Sequence, residues 1–375
     1  MSRLAELIEQ LCPDGVEYRP LGDVAELKRG QAVTRKEIVE GQIPVIAGGR
    51  EPAYYIDRPN RQGETIVIAG SGAYAGFVSF WNEPIFVSDA FSIVVDRGTL
   101  QPRFVYHWLN GRQEAIHALK SGGGVPHVYP KDVAKLRCPI PPLEVQREIV
   151  RILDQFTTLE AELEVELEAR RAQYEHYRNH LLSYDSLAAC GPVDMVELGS
   201  VVTLLDSRRI PLKKGDRVSG EYPYYGASGI VDYVDSYIFD EDLLLVSEDG
   251  ANLKARTKPI AFSTSGRVWV NNHAHVLKVE SSFYQKFLEE YLNSLDLEPY
   301  LVGSTQPKLN QSGLLSIPVP LPTEQALERS VLLLEKLKLF VTDFSAGLPA
   351  EIAARRAQYE HYRDRLLSFP EKKAE

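Results

Sequence analysis

The chain has 375 residues, 44% hydrophobic and 25% charged, which is too long for one ordinary core and predicts two to three soluble domains. Cys12, Cys138 and Cys190 are odd in number, far apart and in no CxxC pair, suggesting neither a disulfide framework nor a zinc site; no apolar run approaches the roughly 20 residues of a membrane span. The net charge of −10 argues against a uniformly basic nucleic-acid surface, but it is unevenly spread: Val16 to Pro141 holds 15 basic against 13 acidic residues, and Val193 to Pro320 holds 12 against 17.

In chain order, residues 1–15 read as a short amphipathic helical segment without the apolar stretch of a secretory signal, so a cytoplasmic location and no membrane partner are expected. Residues 16–141 follow as a strand-rich globule. It opens with YRPLGDVAEL, and its β-branched and aromatic bursts IPVIAGG, ETIVIAGSG and FVSDAFSIVV are broken by Gly, Asn and Asp. The glycine loop SGGGVPHVYP and the hinge PIPPLEVQ close it, since proline has no amide hydrogen to donate and biases its predecessor away from helix. Residues 142–185 form a spacer. There is no Pro or Gly from Leu143 to Ser183, and Ile149, Ile152, Phe156, Leu159 and Leu163 keep a 3,4 spacing that slips near Leu167 and resumes at Tyr174, Tyr177 and Leu181. A helix of about 60 Å is expected there, longer than a small domain needs.

The order then recurs. Residues 193–320 run from MVELGSVVTL through YPYYGASG, DLLLVSEDG, VWVNNHAHVLKV and VGSTQPKLNQ to the hinge PVPLPTEQ, a second globule. Residues 321–369 form a second spacer with Leu327, Val331, Leu334, Leu337, Val341 and Phe344 at helical spacing and a joint near 347–349, at Gly347 and Pro349. Ala169–Tyr184, ARRAQYEHYRNHLLSY, matches Ala354–Phe369, ARRAQYEHYRDRLLSF, at 13 of 16 positions, a duplication that makes the chain two related halves. The expected fold is α+β: two strand-rich globules joined by two long antiparallel coiled-coil helices, with a pseudo-twofold internal repeat and the globules at opposite ends.

The opening LIEQLCPDGVEYRPLGDVAE, the two Leu-Gly starts, YPYYGASG, WVNNHAHVL, the hinges leading to Gln146 and Gln325, GLPAEI and the doubled string together resemble the specificity (S) subunit of type I restriction-modification systems, over nearly the whole chain. The resemblance implies two target-recognition domains, each reading half of a split double-stranded DNA site. It also implies helices that space them and dock two methyltransferase (modification) subunits, with restriction and translocation subunits in the full complex, and a chain that is not itself an enzyme. The residues supply an independent reason. Nearly identical helices offer one surface twice, as two copies of one partner require, whereas globules that read different sequences must differ. The alternative from another class is a coiled-coil scaffold whose globules bind protein, which the acidic second globule favours.

Candidate DNA contacts are basic or hydrogen-bonding loop residues, because Arg and Lys pair with phosphates and guanine edges and polar side chains read bases. In the first globule they are Lys28, Arg29, Arg35, Lys36, Arg50, Tyr74, Lys120 and His127; in the second, Arg208, Arg209, Lys213, Lys214, Lys254, Arg256, Lys258 and Lys308. Tyr54, Tyr55, Tyr224 and Tyr225 read as strand core. In the repeated string, Arg170, Arg171, His176 and Arg178, with Arg355, Arg356, His361 and Arg363, are candidates for partner docking, while its tyrosines read as packing. The sequence holds no GxxxxGK[ST] phosphate loop, no HExxH and no Asn-Pro-Pro-aromatic motif of the amino-methyltransferases, so no catalytic residue, cofactor or ATP is expected. His273 and His275 share a strand face in NNHAHV without further ligands, and no metal is expected there.

Overall fold

The computed structural model describes residues 3–33, 38–122, 124–303, 306–342 and 347–372. The chain forms two compact units, Met1–Val165 with Glu351–Glu375, and Glu166–Ala350.

In the first unit the bursts become β1 (Glu17–Pro20), β2 (Ala25–Arg29), β3 (Ile43–Ile46), β4 (Tyr55–Ile56), β5 (Thr65–Ala69), β6 (Val78–Trp81), β7 (Phe86–Val87), β8 (Ala90–Val95) and β9 (Arg137–Ile140). They pair as a four-stranded sheet β2-β8-β5-β6, a three-stranded sheet β4-β3-β7 and the pair β1-β9. In the second unit the strands are β10 (Val193–Glu197), β11 (Thr203–Leu204), β12 (Ser219–Gly226), β13 (Gly229–Val234), β14 (Phe239–Asp240), β15 (Leu243–Ser247), β16 (Ala261–Thr264), β17 (Arg267–Val270), β18 (Ala274–Lys278) and β19 (Pro318–Pro322). Their sheets are β11-β18-β15-β16, β13-β12-β17-β14 and β10-β19, the same topology with one strand added. Even the exceptional parallel pairing is repeated, β3 with β7 and β12 with β17. The inner strands β5 and β15 are buried at all five positions, which explains why TIVIA and LLLVS read as continuous apolar runs and not as alternation.

Free of Pro and Gly, Leu143–Leu181 is one helix of 39 residues. Its root is fixed in the first core: Val145, Ile149 and Leu153 are fully buried, and so is the Gln146 side chain. The Gln146 amide donates to the carbonyls of Thr99 (2.8 Å) and Pro141 (2.7 Å) and accepts from the Gln101 amide (2.8 Å), so no polar atom is stranded. Gln325, its counterpart after the second hinge, is exposed; there the helix Glu324–Thr342 starts from Thr323, whose carbonyl accepts from Leu327 and whose hydroxyl accepts from Ala326.

Within the first unit the long helix runs antiparallel to Leu348–Leu366, with Phe156 stacked on Tyr362 (5.3 Å) and Glu160 paired with Arg356. Within the second, Tyr174, Leu181 and Leu182 share a core with Leu327, Val331 and Leu334. The seam differs in detail from the spacing read in sequence. Leu153 and not Ile152 is the fully buried residue, and Leu159 is exposed, because a 3.6-residue helix drifts away from a strict 3,4 repeat. Phe344 lies outside the described residues, as do all of 343–346 beside the expected joint. Tyr224 is buried as expected, but Tyr55 is 53% exposed: β4 is a two-residue edge strand whose alternation sends Ile56 inward and Tyr55 out. Among the described residues no helix is long and apolar enough to cross a membrane.

Candidate nucleic-acid interface

In the first globule the candidates come from the end of β2 (Arg29), the loops after β3 (Arg50) and β5 (Tyr74), and the segment between β8 and β9 (Lys120 and His127). Arg50 lies over the rings of Tyr74 (5.0 Å) and Phe77 (5.5 Å), and Lys120 donates to the Ala73 carbonyl (3.4 Å), so Arg50, Tyr74 and Lys120 gather on one turn. His127 is held beside them by bridges to Ser71 and Ser121 and stacks on Tyr129. Arg29 and His127, with Asp89 and Tyr129, line a cavity of about 390 Å³. Gly30 keeps that wall close, since a Cβ there would sit 2.0 Å from the Ser88 carbonyl oxygen. Lys28 is exposed but paired with Glu26 (2.9 Å). Arg35 and Lys36 lie outside the described residues.

In the second globule the cluster SRRIPLKK splits. Arg208 stays outside, over the Phe239 ring and bonded to Glu241 (2.6 Å), whereas Arg209 turns inward to Glu248 (2.6 Å), Asp206 (3.1 Å) and the Ala274 carbonyl (2.8 Å). Lys213 and Lys214 are exposed on a short turn. Lys254 reaches Glu298 (3.5 Å), Asn252 clasps the Lys258 backbone, and Arg256, in the left-handed conformation at φ 52°, donates to the Leu295 carbonyl (2.7 Å). Burial lowers the Arg256 pKa. Lys308 bonds Glu248 (2.9 Å), and that hydrogen bond raises its pKa.

Arg209 belongs to a polar core. His275 is fully buried, with Nδ1 on Asp206 (2.6 Å) and Nε2 on the Leu309 carbonyl (2.7 Å). Burial opposes ionisation of Asp206, yet hydrogen bonds from His275 and the Val276 amide hold its carboxyl below the usual range. Ligand atoms of Asp206, Glu248 and His275 lie within 4.8 Å of one another, the spacing a metal would need. Arg209 and Lys308 already neutralise the two carboxylates and both imidazole nitrogens are engaged, so the group is a complete ion-paired clasp that fixes the ends of β15 and β18. His273 stands apart, bonded to Asp249 (2.9 Å).

On the repeated string some contacts recur and others do not. Arg170 bonds Glu166 and Gln173 as Arg355 bonds Glu351 and Gln358. Arg171 pairs with Glu168 on its own helix, while Arg356 reaches Glu160 and Glu164 across the helix pair. Arg178 lies over the Tyr174 ring and is half-buried; Arg363 lies over Tyr359 with a side chain only 12% exposed. His176 and His361 are exposed, each edge-on to the following tyrosine.

The family model for the type I restriction modification DNA specificity domain matches twice, at residues 13–169 and 191–354. The chain belongs to this family. A type I restriction enzyme specificity subunit of Escherichia coli is 25% identical over 99% of this chain and 98% of its own length. A second from the same organism, that of EcoprrI, is 30% identical over 55% of this chain and about half (51%) of its own. The crystal structure of a type I restriction-modification S subunit from M. genitalium shares the fold at a TM-score of 0.61, with 20% identity over 94% of this chain and 96% of that one.

In this specificity subunit, sequence reasoning passed over Ser71, Asp89 and Asp249 and read His273 only against a metal. Their signal was positional: Ser71 and Asp249 follow IVIAG and LLVSE, and Asp89 and His273 each precede the Ala that opens β8 or β18. The long-range bridges from 71 to 127 and from 249 to 308 give these positions a common frame.

Proposed function

We propose that the two globules each read one half of a split, asymmetric double-stranded DNA site. The helices set the gap between the halves and dock two methyltransferase subunits, to which restriction and translocation subunits add in the full complex. One observation carries this reading: the backbone topology of the globules is repeated, β14 being the one added strand, while the side chains on their equivalent loops are not. A fold that is kept and a rim that is changed suit two different base sequences. Arg29, Arg50, Tyr74, Lys120 and His127, and Arg208, Lys213, Lys214, Lys254, Lys258 and Lys308, supply phosphate or base contacts; Arg209 and Arg256 act by holding loops, because their guanidinium groups are spent on protein acceptors. The exposed Arg170, His176 and His361, with the half-buried Arg178 and Arg355, present the repeated docking surface.

Mapping methylated adenines in DNA from cells that express this chain with its methyltransferase tests the proposal. The expected motif is split and asymmetric; a palindrome or one continuous short motif overturns the reading. Inserting four residues within Glu160–Ala169 adds about 6 Å and roughly one turn of helix, so the same half-sites should be methylated with a gap longer by one or two base pairs. A fixed gap with surviving activity would remove the helices as the ruler.

A further inference from the structure

The same backbone frame in the two globules carries three side chains with their hydrogen-bonding roles exchanged. In the first, the chain leaves β5 through Gly70 and Ser71, enters β8 after Asp89, and returns at His127, which bridges Ser71 while the Val128 amide bonds the Gly70 carbonyl (3.0 Å). In the second it leaves β15 through Glu248 and Asp249, enters β18 after His273, and returns at Lys308, which bridges Asp249 while the Leu309 amide bonds the Glu248 carbonyl (2.8 Å). The correspondence is residue for residue: Ser71 with Asp249, Asp89 with His273, His127 with Lys308.

On that frame the Ser71 hydroxyl donates to the Asp89 carboxylate, and the Asp249 carboxylate faces the His273 ring nitrogen at 2.9 Å. The carboxylate has therefore moved from the position before one strand to the position after the other. Ser71 is buried, at 9% exposure, and acts through the Asp89 carboxylate that it bonds; the other five side chains are reachable. Asp89 is exposed, and the side chains of His273, Asp249 and Lys308 are 51%, 34% and 49% exposed. Asp89 and His127 share a cavity wall with Arg29, so these two members of the first triple face a concave space. Beneath the second triple, the clasp of Arg209, Asp206, Glu248 and His275 supplies the rigid support that a site discriminating by geometry requires.

We propose that Ser71, Asp89 and His127 in the first globule, and Asp249, His273 and Lys308 in the second, are the specificity-determining positions for one base pair in each half-site. A carboxylate accepts from the exocyclic amine of cytosine, whereas an imidazole N–H or an ammonium donates to the acceptor edge of guanine, so exchanging the two on a fixed frame changes the base preferred there. This rests on the reading that each globule reads a half-site.

The test uses the full chain assembled with its methyltransferase, assayed by methylation of a duplex library in which each base of both half-sites is varied. Asp89→Asn, isosteric and unable to present the same acceptors, relaxes discrimination at one position of the first half-site by about tenfold or more and leaves the second unaltered. His273→Asn and Lys308→Met do the reverse. Discrimination at the unaltered half-site reports that each variant is folded, and Ser71→Ala repeats the test with a milder change. Loss of methylation equal for every base, with no change in preference at any position, overturns the proposal and marks these residues as backbone contacts or scaffold. A continuous or palindromic motif in the unaltered protein overturns the half-site reading itself, a separate outcome.

Discussion

Tyr174 and Tyr359 hold the same place in the repeated string, and each ties a globule to its helices, but the charges around them are exchanged. In the first unit the Tyr359 hydroxyl donates to Nδ1 of the buried His107 (2.8 Å), whose Nε2 donates to Asp154 on the long helix (2.8 Å), with Arg103 on the same carboxylate (2.8 Å). Cation and imidazole come from the globule and the anion from the helix. In the second unit the Tyr174 hydroxyl donates to Glu290 (2.7 Å), and Lys338 on the helix bonds both Glu290 (2.6 Å) and Glu289 (3.1 Å). Here the anions come from the globule and the cation from the helix. Duplication preserved the aromatic body, whose packing both units need, and left each polar surround free to change so long as it balanced internally. A consequence is discrimination: a globule set against the wrong helix would place like charge against like charge, Glu289 and Glu290 on Asp154 or Arg103 on Lys338.

The largest expected effect separates the clasps by redundancy. His107→Leu strands the Tyr359 hydroxyl and the buried side of Asp154 and is expected to cost about 3 kcal/mol, read as lost hydrogen-exchange protection of the helix Pro102–Asn110. Glu290→Leu leaves Lys338 on Glu289 but strands the Tyr174 hydroxyl, and should cost about 2 kcal/mol in the helix Ser282–Ser294. Equal losses would show that the exchange of charges has no energetic consequence.

Next is the contrast between the helix roots. Gln146→Ala removes a buried amide with three partners, at about 2 kcal/mol, whereas Gln325→Ala, on an exposed side chain, should change urea stability by less than about 0.5 kcal/mol.

The pH dependence of the clasps is a smaller difference with opposite signs. Burial holds the His107 pKa below its ordinary value, although Asp154 opposes this, so its contribution is complete above about pH 6.5 and declines as pH falls toward the lowered value. For Lys338, burial opposes the charge but Glu289 and Glu290 raise the pKa, so its contribution is complete below about pH 10.5 and is lost only as pH rises through the raised value. As pH falls from 8 to 5, exchange protection relative to the intrinsic rate should fall in Pro102–Asn110 and stay level in Ser282–Ser294. The smallest effect is on the surface: Arg356→Ala should cost about 0.5 kcal/mol and Arg171→Ala about 0.2 kcal/mol, both vanishing in 1 M salt.

Much of this architecture was legible in the sequence because its signals are local. Proline hinges end globules, a run from Leu143 without Pro or Gly makes a helix, and a 185-residue offset exposes the duplication. What escaped depends on distant partners. Arg209 reads like its neighbour Arg208, and only the arrival of Glu248 and Ala274 beside it turns it inward. Tyr55 reads like Tyr224 until pairing makes β4 an edge. Ser71 and Asp249 look like ordinary turn residues until chain 56 to 59 positions away folds back onto them, at His127 and Lys308.

The buried amide of Gln146 also bears on accuracy. A straight rod of 39 residues is about 58 Å long, so a tilt of about 5° at its root would swing the tip by about 5 Å, more than the roughly 3.4 Å step between base pairs. Stiffness along the rod cannot correct an error in its bearing. Three hydrogen bonds at 2.7–2.8 Å around one side chain help to hold the angle at which the helix departs, and in the proposed ruler the precision of the gap would be decided there.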